Sequence, residues 1–123
     1  MRLWHYRLIP HLPRQQLLGQ HRECCALRGN GWGKKHATVN YVFEQHPYIL
    51  WNYHMIVIVE MKCRGYNVDE QWVDLCYRGK SCERYYYLDM FLEPYDYPEH
   101  NDEYLKECLA NLADKGIIID EGV

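Results

Sequence analysis

The stretch between Pro47 and Gly65 constrains the fold of this chain more than any other feature. Its centre, residues 55–59 (Met-Ile-Val-Ile-Val), has the composition of a buried strand. The whole stretch exceeds the roughly 3–10 residues of an ordinary strand, and it has a proline where helices begin and a glycine where they end. We therefore predict a central helix, from about Tyr48 to Arg64, that is apolar on most of its sides.

Two other segments carry helical signals. Pro13 is well placed as the first residue of a helix that continues to about Leu27, and Gly29 is suited to cap its end. The spacing within this segment is compatible with one buried stripe, formed by Leu17, Leu18, His21, Cys24, Cys25 and Leu27. A third helix is predicted from about Glu99 to Lys115, before Gly116.

The segments between these helices predict less regular structure. Residues 1–9 alternate roughly between apolar and polar, which indicates an extended arm, and residues 36–46 suggest a short amphipathic segment. We expect another short helix within residues 69–78, and the isoleucines at 117–119 are expected to dock on the core. A chain of 123 residues has the length of one domain. The predicted fold class is mainly α: a single compact domain, residues 1–123, of three main helices with long connecting loops.

Charge is distributed unevenly along the sequence. Residues 1–43 carry seven lysines or arginines against a single glutamate, a net charge of +6. The remaining eighty residues carry seven against sixteen acids, a net charge of −9. This asymmetry predicts an anionic partner for the front of the molecule, and nucleic acid is the first candidate.

The one glutamate of the basic segment is Glu23, which follows Arg22 in the first predicted helix. An acid is electrostatically costly on a surface that binds a polyanion, so we expect such a surface to retain it only for a reason. Two interpretations stay open. Glu23 is either a structural counter-ion that orients Arg22 or another neighbour, or a base held ready for chemistry.

A nucleophile to accompany Glu23 is not obvious among the side chains. No Ser-His-Asp or Cys-His-Asn arrangement can be recognised. Cys24 or Cys25, one helical turn from His21, is a conceivable thiolate nucleophile, but residues at this spacing on a helix commonly just pack together. What remains is the α-amine of Met1. Such an amine titrates at roughly 7.7 to 8.0, so a useful fraction is neutral at physiological pH and can attack an aldehyde to form an imine.

Motif spacing argues against several other chemistries. Residues 29–35 (Gly-Asn-Gly-Trp-Gly-Lys-Lys) are not a phosphate-binding loop of nucleotide hydrolases, because the spacing is one residue short and Lys35 replaces the hydroxyl residue. The six cysteines include no C-x-x-C pair, so we predict no metal and no cofactor. No uncharged run reaches about 18 residues, so no membrane segment is expected, and free thiols indicate a reducing cytoplasm.

Taken in order, these residues resemble a known family. Arg2, Gln15, Leu17 and the pair Arg22-Glu23 match the pattern of the pyrimidine-dimer DNA glycosylase/AP lyase typified by bacteriophage endonuclease V. Residues 41–50 (Tyr-Val-Phe-Glu-Gln-His-Pro-Tyr-Ile-Leu) and 60–68 (Glu-Met-Lys-Cys-Arg-Gly-Tyr-Asn-Val) resemble the family's segments at the start and end of its central helix. The likeness covers residues 1 to 68 well and residues 99–115 more weakly.

The resemblance implies a compact three-helix fold and a defined chemistry. In the family the amine of the first residue, here Met1, attacks the deoxyribose C1′ of the damaged nucleotide, releases the base and forms an imine, and β-elimination then cuts the strand. The residue matching Glu23 acts as general acid/base, which is typically worth about 10²- to 10⁴-fold. Arg22 would hold phosphate and stabilise developing charge. Such enzymes bend the duplex and flip a nucleotide out of the stack.

The predicted DNA contacts follow from the same resemblance and from the basic loop. Arg2 and Gln15 would grip the distorted duplex, and Arg28 would supply the cation that the family carries where this chain has Ala26. Lys34 and Lys35 form either a clamp for the DNA backbone or a plain solvated turn.

Three functions remain in competition at this point. The first is a DNA glycosylase with AP lyase activity, acting as a monomer on double-stranded DNA at damaged pyrimidines or abasic sites. The second is a DNA-binding module of the same fold without chemistry. The third is a protein-interaction domain that uses the acidic C-terminal half.

Overall fold

The computed structural model describes residues 2–29, 40–88 and 96–120. Four α-helices occur in these ranges: α1 (Arg14–Arg28), α2 (Tyr41–Glu44), α3 (Pro47–Cys63) and α4 (Asp102–Asp114). Two 3₁₀ helices, Tyr6–His11 and Glu70–Val73, precede α1 and follow α3. Since the described ranges contain no strand, the predicted mainly α class with three main helices is confirmed.

Helix α3 is the centre of the core, as predicted. Pro47 is its first residue, the ring of His46 accepts a hydrogen bond from the Tyr48 amide at 3.0 Å, and Gly65 ends it at a positive φ of 83°. Its buried side chains lie on most of its circumference and pack against α1, α2 and the first 3₁₀ helix: Tyr48, Ile49, Leu50, Tyr53, His54, Val57, Ile58 and Met61.

Helix α1 begins one residue later than predicted, with Pro13 as its N-cap. Leu17, Cys24 and Leu27 are buried as expected, but so are two polar residues that the apolar pattern could not place, Gln20 and Arg28. Gly29 caps the C-terminus, where its amide donates to the Cys25 carbonyl at 3.1 Å.

The N-terminal segment differs from the predicted extended arm. Residues 2–5 are irregular, and the chain then turns into the 3₁₀ helix, in which the Leu8 amide donates to the His5 carbonyl at 2.9 Å. The His5 ring also accepts from the Arg7 amide at 3.1 Å. The alternation of the sequence was therefore misleading, because a local side-chain cap and the core positions of Leu8 and Ile9 favour the helical turn.

Helix α4 closes the fold over the N-terminal segment. The Asn101 side chain caps it by accepting from the Tyr104 amide at 2.9 Å, and Leu105, Cys108 and Leu112 form its buried face. Gly116, at a φ of 82°, then reverses the chain. Ile117 and Ile119 pack against the core as predicted, while Ile118 is exposed.

Candidate active site

Glu23 is half-buried and lines a cleft of ≈ 430 Å³ between α1, the N-terminal segment and the end of α4. Arg2 lines the same cleft, so the structure brings together two of the predicted site residues. The other polar side chains that line it were not predicted from the sequence: Gln16, Gln20, Asn111 and Lys115. The described lining of the cleft therefore contains one carboxylate and two cationic side chains.

The N-terminal side of the cleft is held in place by Gln20, which is only 4 % exposed. Its Oε1 accepts from the Trp4 amide at 3.0 Å, and its Nε2 donates to the Arg2 carbonyl at 2.9 Å. A side-chain amide can satisfy a backbone donor and a backbone acceptor together, as a neighbouring strand would. Gln20 thus fixes the backbone of residues 2–4 against the helix that carries Glu23.

Two tyrosines complete this attachment. The Tyr53 hydroxyl lies 2.6 Å from the Trp4 carbonyl and 2.7 Å from Gln20 Oε1, and the Tyr104 hydroxyl donates to the Leu3 carbonyl. Burial raises the pKa of both phenols, so both remain protonated donors. Neither tyrosine was identified from the sequence, because nothing in the pattern relates them to residues 2–4.

The Arg2 side chain spans the mouth of the cleft towards α4. Its guanidinium carbon lies 5.9 Å from the Trp4 ring centroid and 5.7 Å from that of Tyr104. One of its Nη atoms is 3.6 Å from a carboxylate oxygen of Glu107. These contacts hold the Arg2 charge at the cleft.

Arg22 and Gln15 lie on the outer surface of α1, where both are exposed. Arg22 does not line the cleft that contains Glu23. It lines a different depression, together with His21 and Cys25. Adjacent residues on a helix diverge by about 100°, so Arg22 and Glu23 point to different sides of the helix. The structure thus separates the predicted phosphate ligand from the predicted acid/base.

The predicted DNA contact at Arg28 is corrected by the structure. Arg28 is 6 % exposed, and its guanidinium donates to the carbonyls of Trp72 at 2.7 Å, Asp74 at 2.7 Å and Tyr77 at 2.9 Å. It also lies 5.0 Å from the Trp72 ring centroid. Because its donors are used inside the protein, Arg28 anchors residues 72–77 and is not presented to DNA.

Three side chains of α1 and α3 could hold a metal ion: ligand atoms of His21, Cys25 and His54 lie within 4.8 Å of one another. However, Arg28 Nη1 is 3.0 Å from His54 Nδ1, and arginine can only donate. His54 therefore carries its proton on Nε2, which is 2.9 Å from His21 Nδ1. A protonated Nε2 cannot ligate, so the polarity of these contacts favours a hydrogen-bonded cluster.

The same cluster contains no activated thiol. Burial raises the pKa of Cys25 to about 11, and the nearby Arg28 charge offsets this only in part. Burial also lowers the pKa of His21 and His54, so both rings are neutral near pH 7. The cluster is a set of neutral groups, which argues against the thiolate nucleophile considered from the sequence.

Comparison with known families identifies the chain. A family model described as pyrimidine dimer DNA glycosylase matches residues 1–74. The chain belongs to the pyrimidine dimer DNA glycosylase family. No match was found among curated proteins or among solved structures.

Membership of the pyrimidine dimer DNA glycosylase family confirms the resemblance on which the sequence interpretation depended, and it assigns the chain to DNA repair glycosylases. The matched residues include α1, with Glu23 and Gln20, and the whole of α3. Helix α4 and the loop that follows Asp74 lie beyond the match, so the C-terminal wall of the cleft is formed outside the matched residues. No helix in the described parts of the chain is long and apolar enough to cross a membrane.

Three predicted site residues fall outside the described residues: Met1, Lys34 and Lys35. The basic loop that contains the two lysines therefore stays a prediction, as does the role of the terminal amine.

Proposed function

We propose that this protein is a DNA glycosylase with AP lyase activity that acts at damaged pyrimidines or abasic sites in double-stranded DNA. The Met1 amine attacks C1′ of the damaged nucleotide, the bond to the base breaks, and an imine forms. β-Elimination then cuts the strand, and Glu23 serves as the general acid/base.

One observation carries the proposal: Gln20 holds the Arg2 carbonyl at 2.9 Å, while Glu23, one helical turn further along α1, lines the same cleft as Arg2. Met1 directly precedes Arg2, so chain connectivity keeps its amine within one residue of this attachment. Of the described residues that line the cleft, Glu23 is the one with a carboxylate, a group that can serve as a general acid/base.

The remaining members of the predicted set have supporting roles in this proposal. Arg2 and Lys115 place positive charge at the cleft, where a DNA strand would bring its phosphates. Arg22 and Gln15 contact the backbone from the exposed side of α1. The six free thiols suit a reducing cytoplasm, and the proposed active form is the monomer.

Borohydride trapping on abasic-site DNA tests the mechanism. The untagged protein should form a covalent adduct, and acetylation of its α-amine should abolish that adduct. Glu23→Gln should bind the same DNA with normal affinity but trap at least 10²-fold more slowly. If wild-type protein binds abasic DNA and never traps, the chain is a DNA-binding module without chemistry.

Substrate class is tested with the same protein on duplexes that contain a cyclobutane pyrimidine dimer. Cleavage of a glycosidic bond at the dimer, detected as free base after photoreversal of the cyclobutane ring, and strand scission should both require Glu23. Scission of abasic DNA with none at the dimer would limit the activity to abasic sites.

A further inference from the structure

A second depression lies on the opposite flank of α1 from the cleft. This groove has a volume of ≈ 400 Å³ and runs between the C-terminal half of α1 and the loop of residues 78–82. Of the described residues that line it, Arg22, Arg78 and Lys80 carry positive charge and none carries a carboxylate. The loop lies beyond residues 1–74, which match the family, so this groove is a feature of the chain's own C-terminal part.

The far wall of the groove is fixed to α1 by specific contacts. Arg78 Nε donates to the Arg28 carbonyl at 3.1 Å, and the Cys82 thiol donates to the Gly29 carbonyl at 3.3 Å. A Cβ at Gly29 would lie 3.0 Å from the Arg78 carbonyl oxygen, so any other residue there would require the backbone at Arg78 to move by a few tenths of an ångström. Gly79, at a φ of 95°, then turns the chain before Lys80.

The three cations of the groove differ in how they are held. The Arg78 guanidinium is held 4.4 Å from the Tyr85 ring centroid, which orients its plane. Lys80 and Arg22 are exposed. The titratable groups between them are neutral near pH 7, since burial lowers the pKa of His21 and raises that of Cys25 to about 11. The described lining of the groove therefore carries a net positive charge.

The groove and the cleft flank one face of α1, on which Gln15 and Arg22 are exposed and Gly19 and Ala26 are half-buried. Gln15, Gly19, Arg22 and Ala26 follow the i, i+4, i+7, i+11 spacing of a single helix face. Two of the four, Gly19 and Ala26, have little or no side chain, so the surface of α1 does not protrude here and a DNA strand can lie across it. An α-helix is about 10–12 Å wide with its side chains. Because one DNA strand carries a phosphate about every 3.4 Å along the axis of the duplex, a strand that crosses α1 places roughly three phosphates between the cleft and the groove.

We propose that the groove formed by Arg22, Arg78 and Lys80 binds the phosphate backbone of the DNA strand, about three nucleotides from the nucleotide held in the cleft. This inference rests on the proposed function for the position of the reacting nucleotide. Because the groove contacts phosphate, it adds to the affinity for DNA and fixes the register of the strand without any sequence preference.

Lys80→Gln tests the proposal, with Lys106→Gln on α4 as the matched control because it removes the same charge from an exposed position. The probe is a duplex with a tetrahydrofuran abasic analogue, titrated by fluorescence anisotropy between 50 and 200 mM salt. Lys80→Gln should weaken binding about three- to ten-fold and reduce the slope of log K against log salt by about one. Lys106→Gln should leave both quantities unchanged. Equal slopes for the wild type and Lys80→Gln would overturn the proposal.

Neutral methylphosphonate linkages locate the contact. Walking one such linkage along each strand should find one or two positions about three nucleotides from the lesion that weaken wild-type binding. At one of these positions the effect should be smaller in Lys80→Gln than in the wild type, because the charge of Lys80 is already gone while Arg22 and Arg78 remain. A uniform response at all positions in both proteins would contradict a localised groove contact.

The two proposals fail separately. If the salt slope falls in Lys80→Gln but the wild type forms no borohydride adduct, the proposed backbone contact of the groove stands and the proposed lyase mechanism is wrong. Normal trapping, with affinity unaffected in Lys80→Gln, would keep the chemistry and remove the groove. Binding of AMP that needs Lys80, with DNA affinity unchanged, would assign the groove to a free nucleotide and overturn the DNA contact.

Discussion

Helix α1 holds two irregular segments of the chain with two buried polar side chains of different charge. Near its middle, Gln20 holds residues 2–4 with a neutral amide. At its C-terminus, Arg28 holds residues 72–77 with a cation. Both side chains are less than 10 % exposed, at 4 % and 6 % respectively. We refer to them as the amide anchor and the guanidinium anchor.

The difference follows from what each group can bond. An amide donates and accepts, so it suits a backbone segment that presents an N–H and a carbonyl on one edge. A guanidinium only donates, so residues 72–77 turn to bring three carbonyls towards one point. The anchor beside Glu23 is therefore the neutral one. If Glu23 is the general acid/base that we propose, a buried cation in that position would favour its ionised form and weaken it as a base.

Arg28→Met should have the largest effect on stability, because it leaves three carbonyls of residues 72–77 without their donor. We expect a loss of about 3 kcal/mol or more in the free energy of unfolding, measured by urea denaturation. Arg28→Lys should destabilise less than Arg28→Met, because an ammonium keeps the charge. It should still destabilise, because an ammonium cannot reach all three carbonyls in one plane. A loss below about 1 kcal/mol for Arg28→Met would show that the guanidinium anchor is dispensable.

Acid should destabilise both anchor regions, because each contains buried neutral histidines. Burial lowers the pKa of His100, which packs beside His5 near the N-terminal segment, to about 3, and it lowers that of His54 beside Arg28. A folded-state pKa below the unfolded value of about 6.5 means full stability above pH 6.5 and progressive loss as pH falls. His100 alone should cost about 2–3 kcal/mol at pH 4.5.

Denaturation at a series of pH values measures this loss. His100→Gln should flatten the acid limb, since glutamine can still bond the Tyr41 hydroxyl, which is 2.8 Å from His100 Nε2, and it does not titrate. Unfolding free energies that stay constant between pH 6.5 and 4.5 in the wild type would contradict the neutral state of these rings.

Gln20→Met should have a smaller effect on stability and a larger one on activity. Loss of two buried backbone partners should cost about 2 kcal/mol. Released from α1, residues 2–4 should present the terminal amine poorly, and borohydride trapping should slow at least ten-fold. Arg28→Lys is the matched control, because it destabilises the other anchor and should leave the trapping rate of folded protein unchanged. Equal slowing in both variants would mean that general destabilisation, not the amide anchor, controls trapping.

Arg84→Gln should have the smallest effect. Arg84 pairs with the Asp74 carboxylate on the surface, while Arg28 uses the Asp74 carbonyl inside. Exposed ion pairs contribute about 0–1 kcal/mol, so thermal melts at low and high salt should differ little between the variant and the wild type. A change as large as that of Arg28→Met would mean that the surface pair stabilises residues 72–77 as much as the guanidinium anchor does.

The helical core could be predicted from the sequence because its signals are local. Pro47 and Gly65 mark the ends of α3, and Gly116 follows α4 as expected. Hydrophobic spacing correctly placed Leu17, Cys24 and Leu27 in the core. These features depend on backbone preferences that act within a few residues.

The anchors could not be predicted, because their partners are distant in sequence. Gln20 bonds residues sixteen and eighteen positions away, and Arg28 reaches forty-four to forty-nine positions along the chain. The family resemblance placed Arg28 at the DNA, although its partners are interior carbonyls. Glu23 and Arg2 were found through the family pattern and the charge asymmetry, whereas nothing local distinguished Gln20 from Gln15 or Gln16.

The bond between the Tyr104 hydroxyl and the Leu3 carbonyl joins residues 101 positions apart. During synthesis the first residues therefore emerge long before the helix that will cover them. Gln20 and Tyr53 can seat residues 2–4 as soon as α1 and α3 have been made, yet the Asn111 and Lys115 side of the cleft is added last. Residues 2–4 thus remain uncovered by α4 until that helix has been made, and the cleft is completed only then.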